Sequence, residues 1–220
     1  MKLNSHIKSI FVSTLSIITT MTISPSVLGH SEKVALNSPA PVNGGIQKLA
    51  QLDDQPEQER WQLMQQAKNL LNQGDLTGAE ENLRKLIKKF PRYAFGHFEL
   101  GNVLFQQDKL EDAINAYGEA IRLNANHALA YNGIGLVYAS QGRWTEAITA
   151  YQKALDINPN YGDALANSAL AFLQNNQQSE GIASLRKALN VFRAQGKNER
   201  VFEIEKILQQ IKNADDPGIS

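Results

Sequence analysis

Cysteine is absent from the 220 residues. Its absence excludes a disulfide framework, a thiolate nucleophile, an iron–sulfur cluster and a thiolate zinc site. Nor is there an excess of one charge: 22 Lys and Arg are matched by 22 Asp and Glu. A general nucleic-acid binder normally carries a basic excess, so no nucleic-acid partner is expected. Aromatic residues are few, at 7%, yet 42% of the chain is apolar, which is enough for one folded domain and a tail. Long apolar runs are also missing. The uncharged stretch Ile10 to Ile23 is well short of the ~20 residues of a membrane-spanning helix.

That stretch follows Lys2, His6 and Lys8 and precedes Ser24-Pro25-Ser26-Val27-Leu28-Gly29. A charged start, a short apolar centre and a small-residue exit read as a secretory signal peptide over 1–29. Cleavage is acceptable after Ser26 or after Gly29. The alternative is an uncleaved anchor over residues 7–28, which would keep the protein at a membrane. No cysteine follows the run, so lipid anchoring is excluded, and no paired arginines precede it. Export to a periplasm, a lumen or the medium is the expected localisation. Residues 30–55 then shift to Ser, Pro, Asn, Gly and Gln, with breakers such as Pro39, Pro41 and Gly44-Gly45. They read as a flexible linker, in which only Ile46, Leu49 and Leu52 hint at a turn or two of helix.

From Arg60 a 34-residue unit repeats four times without gaps, over 60–93, 94–127, 128–161 and 162–195. Position 8 of the unit holds Ala67, Gly101, Gly135 and Ala169, and position 20 holds Ala79, Ala113, Ala147 and Gly181. Small side chains at both positions suit two helices crossing closely. Position 15 holds Gly74, Asp108, Gly142 and Asn176, the residue types that best tolerate a left-handed turn. Bulky residues recur at position 24 (Leu83, Tyr117, Tyr151, Leu185) and position 11 (Leu70, Leu104, Tyr138, Phe172). Pro91 and Pro159 stop the second helices of repeats one and three. Repeat two has Ala125 there instead, so its second helix is expected to run on into the next repeat. The fourth repeat departs from the pattern at Ser168, Gln178 and Arg193, as a terminal repeat facing water would. Residues 196–213 then carry Val201, Ile204, Leu208 and Ile211 on one helical face, a capping helix. Asp215-Asp216-Pro217-Gly218 ends order, leaving 214–220 as a tail.

The third repeat, with Tyr131, Ile134, Gly135, Tyr138, Ala147, Tyr151, Ala154 and Pro159 in register, resembles the tetratricopeptide repeat. The resemblance covers residues 60–195 and implies an all-α, right-handed superhelical solenoid of four helix-turn-helix repeats, bounded at 56–195, plus the cap. It also implies a concave groove lined by the first helix of each pair, with positions 2, 5, 9 and 12 facing a peptide or a partner helix. Carried over residue by residue, these are Trp61, Met64, Lys68 and Leu71; Phe95, Phe98, Asn102 and Phe105; Leu129, Asn132, Leu136 and Ala139; and Asp163, Ala166, Leu170 and Leu173. The binding set expected from them is Met64, Lys68, Phe95, Phe98, Asn102, Phe105, Asn132, Leu136 and Leu170. Met64, Leu129 and Gly133 stand where cations would be needed to clamp a chaperone's terminal carboxylate, so no such clamp is expected.

Other signals carry less. The basic run Arg84, Lys85, Lys88, Lys89 and Arg92 suits either an anionic partner or a helix C-terminus. His97 and His127 have no metal-ligand spacing, and Gly133-Ile134-Gly135 is not preceded by a strand. No nucleophile–base pair or phosphate loop is found, so neither an enzyme nor a cofactor is expected. The sequence therefore reads as a non-catalytic, monomeric scaffold or assembly factor for a polypeptide. The alternative is a structural, self-associating protein that uses the fourth repeat and the Val201–Ile211 stripe.

Overall fold

A computed structural model describes residues 44–215, with side chains from 56 to 214. Among the described residues the chain forms nine helices and no strand: α1 (Gly44–Asn72), α2 (Leu76–Lys89), α3 (Ala94–Gln106), α4 (Leu110–Leu123), α5 (Ala128–Ser140), α6 (Trp144–Ile157), α7 (Gly162–Gln174), α8 (Gln178–Ala194) and α9 (Asn198–Asp215). Each odd helix up to α7 packs antiparallel against the even helix that follows it. Every even helix also packs on the next odd one, giving four stacked pairs closed by α9. Successive first helices touch as well, α3 with α5 and α5 with α7, so they share one face of the solenoid. The signal-peptide reading over 1–29 lies outside the described residues.

The turn inside each pair repeats the same hydrogen bonds. In the first, the Gly74 amide donates to the Leu71 carbonyl and the Asp75 amide to the Leu70 carbonyl. This two-bond helix ending requires a left-handed residue between the two donors' carbonyl partners and the next helix. Gly74, Asp108, Gly142 and Asn176 all have positive φ, between 59° and 78°. Gly196 ends α8 in the same way, at φ 68°. Asp75 adds a side-chain cap to α2, accepting from the Gly78 amide at 2.9 Å.

Two expectations are corrected at the joints between elements. The segment 44–55, read as the end of a flexible linker, is helical backbone continuous with α1, and Pro56 lies inside that helix. The helical spacing of Ile46, Leu49 and Leu52 outweighs Pro56, which removes one ladder donor. The second helix of repeat two does not run on. It ends at Leu123, because the Asn124 side chain accepts from the Asn126 amide at 3.1 Å and closes an Asx turn. Asn158 makes the same 3.1 Å bond to the Asn160 amide ahead of α7, so asparagine makes this turn at both joints. Where neither signal exists, at Arg193, α8 extends to 17 residues, against 14 in each preceding second helix.

The core follows positions 8, 20 and 24. Ala79, Ala113, Ala147 and Gly181 are fully or almost fully buried where helices cross, and Leu83, Tyr117, Tyr151 and Leu185 fill the space beside them. Positions 8 and 24 compensate each other. The two repeats with Tyr at 24 have Gly at 8, and the two with Leu at 24 have Ala at 8. A β-carbon added at Gly101 would fall 2.6 Å from the Tyr117 ring, and one at Gly135 closer still to the Tyr151 ring. The Tyr117 ring also reaches the next repeat, where a β-carbon on Gly133 would meet it at 2.6 Å.

At the far end, Ile204 and Ile211 of α9 are buried, with Val201 and Leu208 packed beside them. The apolar stripe thus lies on the side of α9 that covers repeat four. The outward face of α9 carries exposed Glu199, Phe202 and Lys206.

Candidate functional site: the face of the first helices

The shared face of α1, α3, α5 and α7 presents the repeat positions singled out in the sequence, and their exposure is uneven. Position 2 is the most open row, with Trp61 61% exposed, Leu129 41% exposed and Phe95 half-buried. Apart from these, the only exposed large apolar side chain among the described residues is Phe202 on α9. Position 5 is closed: Met64, Phe98, Asn132 and Ala166 are all buried. Lys68, Asn102, Phe105 and Leu136 are half-buried, and they border whatever space the face leaves.

The expected binding set is therefore divided. Lys68, Phe95, Asn102, Phe105 and Leu136 keep accessible surface, whereas Met64, Phe98, Asn132 and Leu170 lie beneath it. Phe98 is held by packing, its ring centroid 5.7 Å from Phe95, 5.9 Å from Tyr117 and 5.1 Å from the His127 ring. Leu170 joins one apolar cluster with Ile204 of α9, and α7 is buried along nearly its whole length. An anchor must be reachable, so Met64, Phe98 and Leu170 support the face from below. The open part of the face spans repeats one to three.

A polar strip runs through this apolar face. The Tyr117 hydroxyl donates to Asn102 Oδ1 at 2.9 Å, and Asn102 Nδ2 donates to Glu99 Oε2 at 3.0 Å. Glu99, at position 6, is only 6% exposed; burial raises its carboxyl above the usual range, against smaller opposing effects of Asn102 and Lys68. The Lys68 ammonium leans over the Phe95 ring, 5.9 Å from its centroid. Burial also raises the Tyr117 phenol, and the charge of Glu99 adds to the effect. Across the next two repeats, Asn167 Nδ2 donates to Asn132 Oδ1 at 3.1 Å. Glu99 was missed in the sequence, although a lone acid in the helix Ala94-Phe95-Gly96-His97-Phe98-Glu99-Leu100 was a visible anomaly.

At the end of the face Arg200, also missed, reaches back from α9. Its Nη2 lies 3.4 Å from Asp163 Oδ1, its Nη1 donates to Glu203 at 2.9 Å, and the guanidinium lies 5.3 Å from the Phe192 ring centroid. His127 is a helix cap whose Nδ1 accepts from the Ala130 amide at 3.3 Å, and burial pushes its imidazole below the usual range. The basic run on α2 is partly neutralised, with Arg84 paired to Glu80 at 2.8 Å and Lys89 to Glu59. Glu80 also binds Lys109 at 2.7 Å, and these cations hold its carboxyl below the usual range.

Residues 64–117 and 98–162 match the tetratricopeptide repeat profile. One crystal structure of MamA protein is 30% identical in sequence, covering 68% of this chain and 79% of its own, with a TM-score of 0.56. This chain belongs to the tetratricopeptide repeat family. A second crystal structure of MamA is 27% identical, covering 72% of this chain and 99% of that one, at a TM-score of 0.58. The TPR2B domain of yeast Sti1, solved in a complex with pHsp70, shares the tetratricopeptide fold at 22% identity and a TM-score of 0.50. It covers 52% of this chain and 91% of the domain's own. No curated protein sequence matches. Among the described residues, no helix is long and apolar enough to cross a membrane.

Proposed function

We propose that this tetratricopeptide protein is an exported, non-catalytic scaffold or assembly factor that binds polypeptide along the face of α1, α3 and α5. One observation carries the reading: Trp61 and Leu129 are exposed at the same repeat position, with half-buried Phe95 at that position between them. Large apolar side chains at one repeated position on one face are what an extended segment or an amphipathic helix would cover. The Sti1 domain's complex with pHsp70 supports a polypeptide partner for the fold. Export rests on the signal-like 1–29; if that segment is retained, the same scaffold is tethered beside a membrane. The protein acts as a monomer.

The test is capture by the full chain from its native envelope fraction, with Trp61→Ala/Leu129→Ala compared with Phe202→Ala. All three side chains are exposed, so folding should be untouched and the melting temperatures equal. Loss of an anchor typically costs more than 1 kcal/mol, so the double variant should weaken capture roughly tenfold or more. Phe202→Ala should leave capture unchanged. Loss in Phe202→Ala alone would move the binding surface to the outer face of α9.

A further inference from the structure

The polar strip under the open face is short of hydrogen-bond donors. Its bonds all point one way, from the Tyr117 hydroxyl through Asn102 to the Glu99 carboxylate. Glu99 Oε2 receives one donor. Oε1 has none among the described residues, and it is not among the polar atoms sealed from solvent. Glu99 forms no ion pair among the described residues; the Lys68 ammonium, the cation whose charge acts on it, lies over the Phe95 ring. Two repeats further along, Asn167 is 5% exposed, and its Oδ1 is buried with no donor. The two halves meet where the Tyr117 ring packs on Gly133, the neighbour of Asn132.

A buried carboxylate without a direct ion pair is costly, and native proteins rarely leave buried acceptors unfilled. A ligand bearing carboxylates or phosphates would worsen both deficits. A ligand bearing N–H donors and positive charge would fill the one at Glu99, whose Oε1 is not sealed from solvent. Resting on the proposed polypeptide-binding role of the face, we infer that its partner segment is basic. A lysine or arginine side chain enters between Phe95 and Asn102 to pair with Glu99 Oε1, while flanking apolar residues cover Trp61 and Leu129. This specificity is opposite to that of a face that grips a terminal carboxylate with cations.

The experiment uses the full chain and a set of fluorescent, capped 12-residue peptides. They share an Ala/Leu background and differ in one central residue: Lys, Arg, Gln, Leu or Asp. By fluorescence anisotropy, the Lys and Arg peptides should bind roughly tenfold tighter than the Gln and Leu peptides, and the Asp peptide weakest, as expected of a charge-assisted bond in a desolvated site. Glu99→Gln keeps an acceptor for Asn102 and should erase the cation preference while leaving the Leu peptide's affinity in place. Glu99→Asp, which retains the charge one methylene further back, should restore part of it. Apolar peptides that bind with no cation preference, or a preference that survives Glu99→Gln, would overturn this inference and leave the polypeptide-binding role standing. A preference for the Asp peptide would overturn it outright. If no peptide binds, the role of the face fails and the inference with it.

Discussion

At the scale of single residues, the solenoid depends on volume matched across each helix pair. Gly101→Ala places a methyl against the Tyr117 ring, and overpacking of that kind costs about 1–3 kcal/mol. Adding Tyr117→Leu recreates the Ala/Leu pairing of repeats one and four. The double variant should therefore be more stable than the two single losses predict, with a coupling of about 1 kcal/mol in urea melts. Strict additivity would show that the pairing has no energetic content. Small residues at position 8 were legible in the sequence, but their dependence on position 24 appears only when the ring is seen against the glycine. Glu99 makes a second prediction. Its folded carboxyl is raised by burial, so the folded state takes up its proton at higher pH than the unfolded chain does. Its contribution opposes folding above that raised value, and the penalty disappears as pH falls towards the unfolded value. Glu99→Gln should accordingly raise the melting temperature at pH 7 and lose that advantage near pH 4. His127, depressed by burial, tilts stability the other way in acid, and it is common to both proteins. An equal gain at both pH values would contradict the assignment.

At the scale of elements, helix endings set the repeat. The left-handed turns at Gly74, Asp108, Gly142 and Asn176 were legible because few residue types tolerate that conformation, and the sequence uses those types at one spacing. Asp108→Gly and Asn176→Gly should each stabilise by roughly 0.5–1 kcal/mol, whereas Gly142→Ala should cost about 1–2 kcal/mol. Thermal melts of the three variants check both signs together. The stop after α4 was not legible from proline alone, because the Asn124 side chain ends the helix by bonding two residues ahead. The helical stretch 44–55 was obscured by Pro56 and the polar composition around it. Burial at Met64, Phe98 and Asn132 was hidden for a different reason. Position 5 faces both the groove and the neighbouring first helix, and only packing decides between them.

For the whole molecule, stability is a sum over neighbouring repeats, so the ends determine how it frays. Ile204 of α9 is buried against the last pair, and Ile204→Ala should cost roughly 2–5 kcal/mol. Hydrogen exchange in that variant should accelerate first in α8 and α9, leaving α3 to α6 protected. Uniform acceleration would mean that the solenoid unfolds as one block. The cap also limits the face. With α7 buried and Arg200 reaching Asp163, the open surface is confined to the first three repeats. The central claim is that this surface receives a polypeptide, and site-specific photo-crosslinking tests it most directly. A benzophenone side chain would be placed in the full chain at Leu129, on the face, and in a second protein at exposed Asn115, on α4 of the opposite layer. Illumination in the native envelope fraction should yield a discrete polypeptide adduct from position 129 and none from 115. Adducts from 115 alone, or the same adducts from both, would contradict the account.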